Sequence, residues 1–303
     1  MYDIVVIGGG PAGVSSAVYA ASRGMSVIII EKNEIGGVLG KVSSITHYTG
    51  ITENETGITF SVRMRNQCES YNIPIAYEEV ISAEFNGELK KVFTNKNTYE
   101  GKAVVIAAGT TPRSLGIPGE KELFGRGVGF WVTDCNEALE GKQVFVVGGS
   151  DGALKETLYL AAKADNVTLI HFEDKLGAIP EFKEKAESMA NINIKLNSRI
   201  AAIYGNDRVE SIKIKNEKTD HIEDIHSPGA LVFIYAGSTP NADIYKCLDK
   251  SEEYLKVNER METNIPGVYA AGDIRSKQVR QASTAVADGT VAGINASAYI
   301  KSR

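Results

Sequence analysis

An α/β fold with two dinucleotide-binding domains is predicted by three observations. An apolar strand that runs into a glycine turn and then a helix occurs at residues 4–13 and again, altered, at residues 144–153. The chain has 303 residues, room for about two domains of roughly 150 residues each. Alternating segments at 78–97 and 200–224, such as Arg208 to Lys215, read as antiparallel strands packed on each sheet. Together they describe two Rossmann-like, three-layer ββα domains, the second inserted in the first.

The run from Tyr2 to Ile7 is largely β-branched and bounded by glycine, as expected of a strand buried on both faces of a parallel sheet. Its helix should span residues 11–23. Pro11 is tolerated in the first turn, where its missing N–H has no partner to lose, and Ala12, Ala17, Ala20 and Ala21 keep the helix slim before Gly24 stops it. Between strand and helix, Gly8, Gly10 and Gly13 let backbone N–H groups and the helix N-terminus approach a pyrophosphate. The next strand, 26–30, ends in Glu31, 23 residues beyond Gly8, where a carboxylate can accept hydrogen bonds from ribose hydroxyls. A lone GxGxxG matches many ordinary glycine turns. Strand, helix, second strand and acid in sequence make it a dinucleotide site, and leave nicotinamide or flavin open.

The second copy reads as a strand at 143–147, a helix at 152–164 and a strand at 167–171, followed by a short charged helix at 181–190. Near the end of the chain a strand at 267–271 precedes Gly272 and Asp273, and a helix rich in alanine and glycine follows at 282–300. The crossings between domains fall at Thr110-Thr111-Pro112 and Ser238-Thr239-Pro240, which could act as hinges. The first domain is then 1–112 with 241–303, and the inserted one 113–240.

A formal net charge of -5 and a pI near 5.6 disfavour a nucleic-acid partner. No apolar run reaches the roughly 18 residues of a membrane span, and no leader pattern precedes the first strand, so a cytoplasmic protein is expected. Cys68, Cys135 and Cys247 form neither a CxxC pair nor a zinc pattern and are expected to be reduced and buried; no metal site is expected.

The chain resembles the low-molecular-weight thioredoxin reductase family of two-domain flavoproteins over nearly its whole length. The matching pieces are Gly8 to Gly13, Glu31 with Gly36-Gly37, Ala107 to Arg113, Gly237 to Asn241, Tyr269 to Asp273, and Arg280-Gln281-Ala282. The resemblance implies FAD at the first fingerprint, held by Gly8, Gly10, Pro11, Ala12 and Gly13, by Glu31 and Lys32, and by Gly37, Val38 and Leu39. It extends the site to Val80 near the adenine, to Ala108 and Gly109, and to Gly272, Asp273, Arg280, Gln281 and Ala282. Asp273 can accept hydrogen bonds from ribityl hydroxyls, and the positive end of the last helix would face the flavin pyrimidine edge, where reduction places negative charge. His47, in the segment expected near the ribityl chain, either hydrogen-bonds the cofactor or is an ordinary loop histidine.

Against that family two parts differ. Ser150 stands at the second glycine of the second fingerprint, and the family's His-Arg-Arg-Asp-x-x-Arg, which clamps the NADP 2′-phosphate, reads His171-Phe172-Glu173-Asp174-Lys175-Leu176-Gly177. An acid there repels the phosphate, or instead binds the ribose diol of NAD. The family's Cys-x-x-Cys, counted back from Gly141-Lys142, falls on Trp131 and Asp134. Trp131 either stacks on a flavin or packs in the core. Asp134 is a proton donor or a helix cap, and Cys135, one place on, is a structural or a reactive thiol. The expected activity is an FAD-dependent oxidoreductase without a redox disulfide, fed by a ferredoxin- or flavodoxin-type carrier, in a homodimer as in the family. The alternatives are an NADH-dependent flavin reductase-type enzyme and a non-catalytic FAD-binding regulatory protein.

Overall fold

The structure, a computed structural model, describes residues 1–134 and 137–303, without the side chain of Asp134. It divides into two compact units, Met1–Thr111 with Thr239–Arg303, and Pro112–Ser238. The first opens with β1 (Tyr2–Ile7), α1 (Pro11–Ala21), β2 (Val27–Glu31), α2 (Gly57–Ser70) and β3 (Ile75–Tyr77). Pro11 sits at the start of α1, and Ser22 closes the helix two residues before Gly24 turns the chain at φ +80°. Thr56 and Thr59 cap α2 reciprocally, each accepting the other's backbone N–H at 3.1 and 3.0 Å.

The meander β4 (Val80–Glu84), β5 (Lys90–Thr94) and β6 (Thr98–Ile106) is antiparallel, and β6 then runs on as a central parallel strand beside β1. Alternation along β1 sends Ile4 and Val6 to the helical face with α1 and α2, while Val5 and Ile7 meet Phe85 and Val92 of the meander side. The first unit has three layers, as predicted. β7 (Thr110–Pro112) carries the first crossing.

The second unit repeats the plan with β8 (Val128–Gly129), β9 (Gln143–Val147), α3 (Asp151–Ala161), β10 (Asn166–Ile170), α4 (Pro180–Ser188), β11 (Ile192–Lys195), the meander β12 (Ser198–Tyr204), β13 (Ser211–Asn216) and β14 (Ile222–His226), and β15 (Leu231–Ile234). Its parallel sheet is ordered β11-β10-β9-β15-β8. Val144 and Val146 face Leu154, Leu160 and Phe182, whereas Phe145 between them packs on Ile200, Ile212 and Ile214 of the meander. α4 ends at Ser188 because Met189 turns to extended backbone, two residues short of the predicted end.

β16 (Ser238–Pro240) pairs with β7, so the two crossings form one ribbon. A small hairpin, β17 (Lys250–Ser251) and β18 (Tyr254–Leu255), precedes β19 (Val268–Ala270), which pairs in parallel with the second half of β6. The last helix, α5 (Ala282–Lys301), lies against α1 at backbone distance: a Cβ on Gly289 would stand 2.1 Å from the Ala12 carbonyl oxygen. Ser15 Oγ donates to Val286 O across this contact at 2.9 Å.

One expectation is corrected: Cys247 is exposed, although Cys68 is buried as predicted. The irregular stretch around it turns Tyr245 and Leu248 into the core and leaves the two intervening side chains, Lys246 and Cys247, outside. Among the described residues no helix is long and apolar enough to cross a membrane.

Candidate functional site

Gly8 has φ +102°, and a Cβ there would lie 2.3 Å from the Ala107 carbonyl oxygen, so the turn after β1 admits only glycine. Gly10 is different. As N-cap of α1 it has φ -74° and ψ -177°, open to any residue, and a Cβ there meets nothing nearer than Gly36 O at 4.0 Å. The protein's own packing does not require glycine at this point. No side chain caps α1, and Pro11 has no N–H, so the first-turn donors are available to an anion.

Glu31, at the end of β2, is buried, with Oε2 accepting the Gly9 N–H at 2.7 Å and Oε1 the Asn33 N–H at 2.8 Å. A carboxylate has about four acceptor sites, so two remain for hydroxyls. Gly36 N–H donates to Gly9 O at 2.9 Å and folds Gly37 against Gly10; Lys32 and Val38 stay exposed, while Leu39 packs on the core. Asn241 holds the Ala108-Gly109 turn, donating from Nδ2 to Ala108 O at 2.7 Å and from its backbone to Gly109 O at 3.0 Å. Val80 is half-buried opposite Thr94. Next to it the Glu78 carboxylate accepts from Thr94, from Asn97 Nδ2 at 2.7 Å and from Tyr99 at 3.0 Å, and these bonds, Thr94 foremost, hold its pKa below the usual range. His47 is exposed, its Nδ1 2.9 Å from Thr46 Oγ1.

After β19, Gly272 packs on Ala12, and Asp273 opens the following turn with Oδ1 buried 3.0 Å from Lys277 Nζ. Arg280 lies over the Tyr254 ring at 4.0 Å with Nε buried and unpartnered. The bare N-cap at Gly10, the spare acceptor sites of Glu31 and the unpartnered Arg280 Nε fit a dinucleotide. Gln281 is the N-cap of α5, its N–H donating to Thr284 Oγ1 at 3.1 Å, and Ala282 is the first helical residue. Sequence reasoning missed the ionic group behind this turn: Asp288 is 5 % exposed and accepts from Gly272 N at 3.1 Å and from Arg275 Nε and Nη2 at 2.8 and 2.7 Å. An aspartate in the interior of a helix rich in alanine and glycine was the available signal.

The second fingerprint copies the strand and turn with a different residue at the helix N-cap. Gly148 N–H donates to Ile170 O at 3.0 Å, as Gly8 N–H does to Ile30 O at 2.8 Å. The N-cap of α3 is Ser150, with φ -84° and ψ 172°, the same backbone as Gly10 but carrying a hydroxymethyl group. His171 occupies the place of Glu31, 23 residues after the first glycine, and a Cβ on Gly149 would fall 2.5 Å from its ring. Its Nε2 lies 3.1 Å from Glu173 Oε2, whose side chain is 55 % exposed. Phe172 is exposed and carries the Arg199 guanidinium over its ring at 4.4 Å.

Trp131 is half-buried and meets Tyr235 edge-on at 6.1 Å. Asp134 ends a 3-10 turn, Val132–Asp134, and residues 137–142 form no α-helix. Cys135 lies outside the described residues.

A cradle at one helix N-terminus, a ribose-type carboxylate and a second, inserted copy of the plan define a two-domain dinucleotide-binding oxidoreductase. The model of the pyridine nucleotide-disulphide oxidoreductase family matches residues 2–289. The chain is 35 % identical to the thioredoxin reductase of Peptoclostridium acidaminophilum, over 99 % of this chain and 98 % of that one. The crystal structure of Lactococcus lactis thioredoxin reductase in its FR conformation covers 100 % of both chains with a TM-score of 0.95 at 34 % identity. A ferredoxin-flavin thioredoxin reductase from Clostridium acetobutylicum covers 99 % of this chain and 98 % of its own, with a TM-score of 0.55 at 28 % identity. The chain belongs to the pyridine nucleotide-disulphide oxidoreductase family, in its low-molecular-weight thioredoxin reductase-like branch. It is a flavin-dependent oxidoreductase with FAD as cofactor.

Proposed function

We propose that FAD binds at the first fingerprint and that electrons reach it from a ferredoxin- or flavodoxin-type carrier rather than from NADPH, and leave without an internal disulfide. Bound FAD supplies a two-electron store that a one-electron carrier fills in two steps. Gly10 and the α1 N-terminus take the pyrophosphate, Glu31 the adenosine ribose, and Asp273 the ribityl chain. The carrying observation is the pair of matched N-caps, bare at Gly10 and substituted at Ser150. Phe172 and Glu173 add to it, because neither can pair with a 2′-phosphate and the second repels one. With Trp131 and Asp134 at the dithiol positions, the acceptor meets the flavin directly. That a ferredoxin-flavin thioredoxin reductase shares this fold is consistent with a protein donor.

A second reading, NADH as donor, is favoured by one observation. Glu173 is exposed just past β10 and steadied by His171, where an acid can accept from an adenosine ribose. Anaerobic titration of the purified holoprotein with NADH, NADPH and reduced ferredoxin separates the readings by flavin bleaching. Bleaching by ferredoxin alone is expected, bleaching by NADH alone selects the second reading, and full bleaching by stoichiometric NADPH overturns both.

A further inference from the structure

The turn that carries Asp273 is held by charges that belong to no motif. Lys277 is 6 % exposed, with Nζ 3.0 Å from Asp273 Oδ1, 3.2 Å from Asp288 Oδ2 and 3.3 Å from Thr284 Oγ1. Asp288, fixed on α5, also accepts the Gly272 N–H and both forks of Arg275. Two carboxylates and two cations thus neutralise one another, with Lys277 and Asp288 buried and Asp273 35 % exposed. A planar bidentate guanidinium fixes orientation as well as charge. Asp273 Oδ1 is buried against the Lys277 ammonium at 3.0 Å. Lys277 therefore fixes where that oxygen stands, and the Asp273 side chain, 35 % exposed, keeps its second oxygen for another donor.

We propose that Lys277 and Asp288 are positioning residues for the cofactor. They pin the 272–277 turn to α5 so that Asp273 presents its carboxylate, already in place, to a ligand hydroxyl. The inference rests on the placement of the ribityl chain at Asp273. A preset acceptor loses no side-chain freedom on binding, and preorganisation of this kind appears as affinity. Neither residue touches the cofactor in this assignment. Lys277 acts through Asp273, and Asp288 acts through Lys277 and the Gly272 N–H.

The test uses full-length apoprotein, titrated with FAD by flavin fluorescence, for Asp273→Asn, Lys277→Met, Asp288→Asn and the two doubles that include Asp273→Asn. Thermal unfolding of each apoprotein is followed alongside, so that affinity is read on folded protein. Each single change is expected to raise the FAD dissociation constant roughly tenfold to a hundredfold, the value of one charge-assisted hydrogen bond. Each double should bind about as weakly as Asp273→Asn alone, because the lost contact is the same one. The charge changes separate positioning from field: Lys277→Met removes a cation and Asp288→Asn an anion, so a pure field effect on anionic FAD would move affinity in opposite directions. Opposite movements, or doubles whose losses add, overturn the positioning role. An unchanged dissociation constant in Asp273→Asn instead overturns the underlying placement of the ribityl chain. Should Asp288→Asn fail to fold, the pair Lys277→Met and Lys277→Arg carries the test, with recovery of affinity expected in the arginine variant and its absence counting against the proposal.

Discussion

Replacing Gly10 by serine transplants the N-cap of the second fingerprint into the first. The backbone at Gly10, φ -74° and ψ -177°, accepts any residue, and the new Cβ has no protein atom within contact other than Gly36 O at 4.0 Å. Apoprotein stability should therefore hold within about 0.5 kcal/mol, with any change leaning to stabilisation because glycine loses the most chain entropy on folding. Affinity should not hold. The hydroxymethyl group occupies the approach to the first-turn N–H groups of α1, and losing one charge-assisted bond costs about 1.5–3 kcal/mol. That corresponds to a rise in the FAD dissociation constant of roughly 10- to 150-fold. The assay is fluorescence titration of apoprotein with FAD, paired with thermal unfolding in its absence. Gly8→Ala is the contrasting control: with φ +102° and the Ala107 carbonyl 2.3 Å away, it should cost the apoprotein about 2–4 kcal/mol. Wild-type FAD affinity in Gly10→Ser would refute the cradle, and with it the argument that Ser150 disables the second site.

Four further outcomes follow from the same geometry. Ser150→Gly, the reciprocal change, should leave NADPH bleaching of the flavin as poor as before, since Phe172 and Glu173 remain; a gain of ten-fold or so in NADPH affinity would shift the weight onto Ser150 alone. Gly289→Ala should lower stability by about 1–3 kcal/mol in a denaturant melt, because its Cβ would drive α5 off the Ala12 carbonyl 2.1 Å away. Glu78, held below the ordinary glutamate range by Thr94, Asn97 and Tyr99, contributes stability that is present above about pH 4.3 and lost as pH falls through its lowered folded value. Glu78→Gln should therefore flatten the acid limb of a melting-temperature profile, and an unaltered limb would assign it to other carboxylates. A thiol reagent at neutral pH should label Cys247 and spare Cys68, whose burial pushes its pKa up to about 11; mass mapping that finds Cys68 modified in folded protein would contradict its place in the core.

Local chemistry made the first unit readable. The β-branched run of β1, proline at the start of α1 and the acid at the end of β2 each act within a few residues, and short-range sterics decide them. The crossings were equally visible, because proline and glycine interrupt both segments just where β7 and β16 pair. What escaped depends on partners far along the chain. Asp288 meets Gly272 across 16 positions and Arg275 across 13, and only the turn between β19 and α5 brings them together. Periodicity shows that α5 is buried, not which of its residues carries a charge inward. Exposure of Cys247 was hidden for a related reason: in irregular backbone no period tells which side chain faces out.

The α1 and α5 contact has a consequence for how the molecule comes into being. The second unit is continuous in sequence and can close as soon as Ser238 has left the ribosome, whereas the second half of β6 waits for β19 and α1 waits for Gly289. At roughly 5–20 residues per second, several seconds separate the two events. Through that interval the edge of β6 at Val104 to Ile106 is unpaired, a template for other strands. On the proposed placement of FAD, Glu31 is made early and Asp273 late, so flavin capture reports a first unit whose two segments have met.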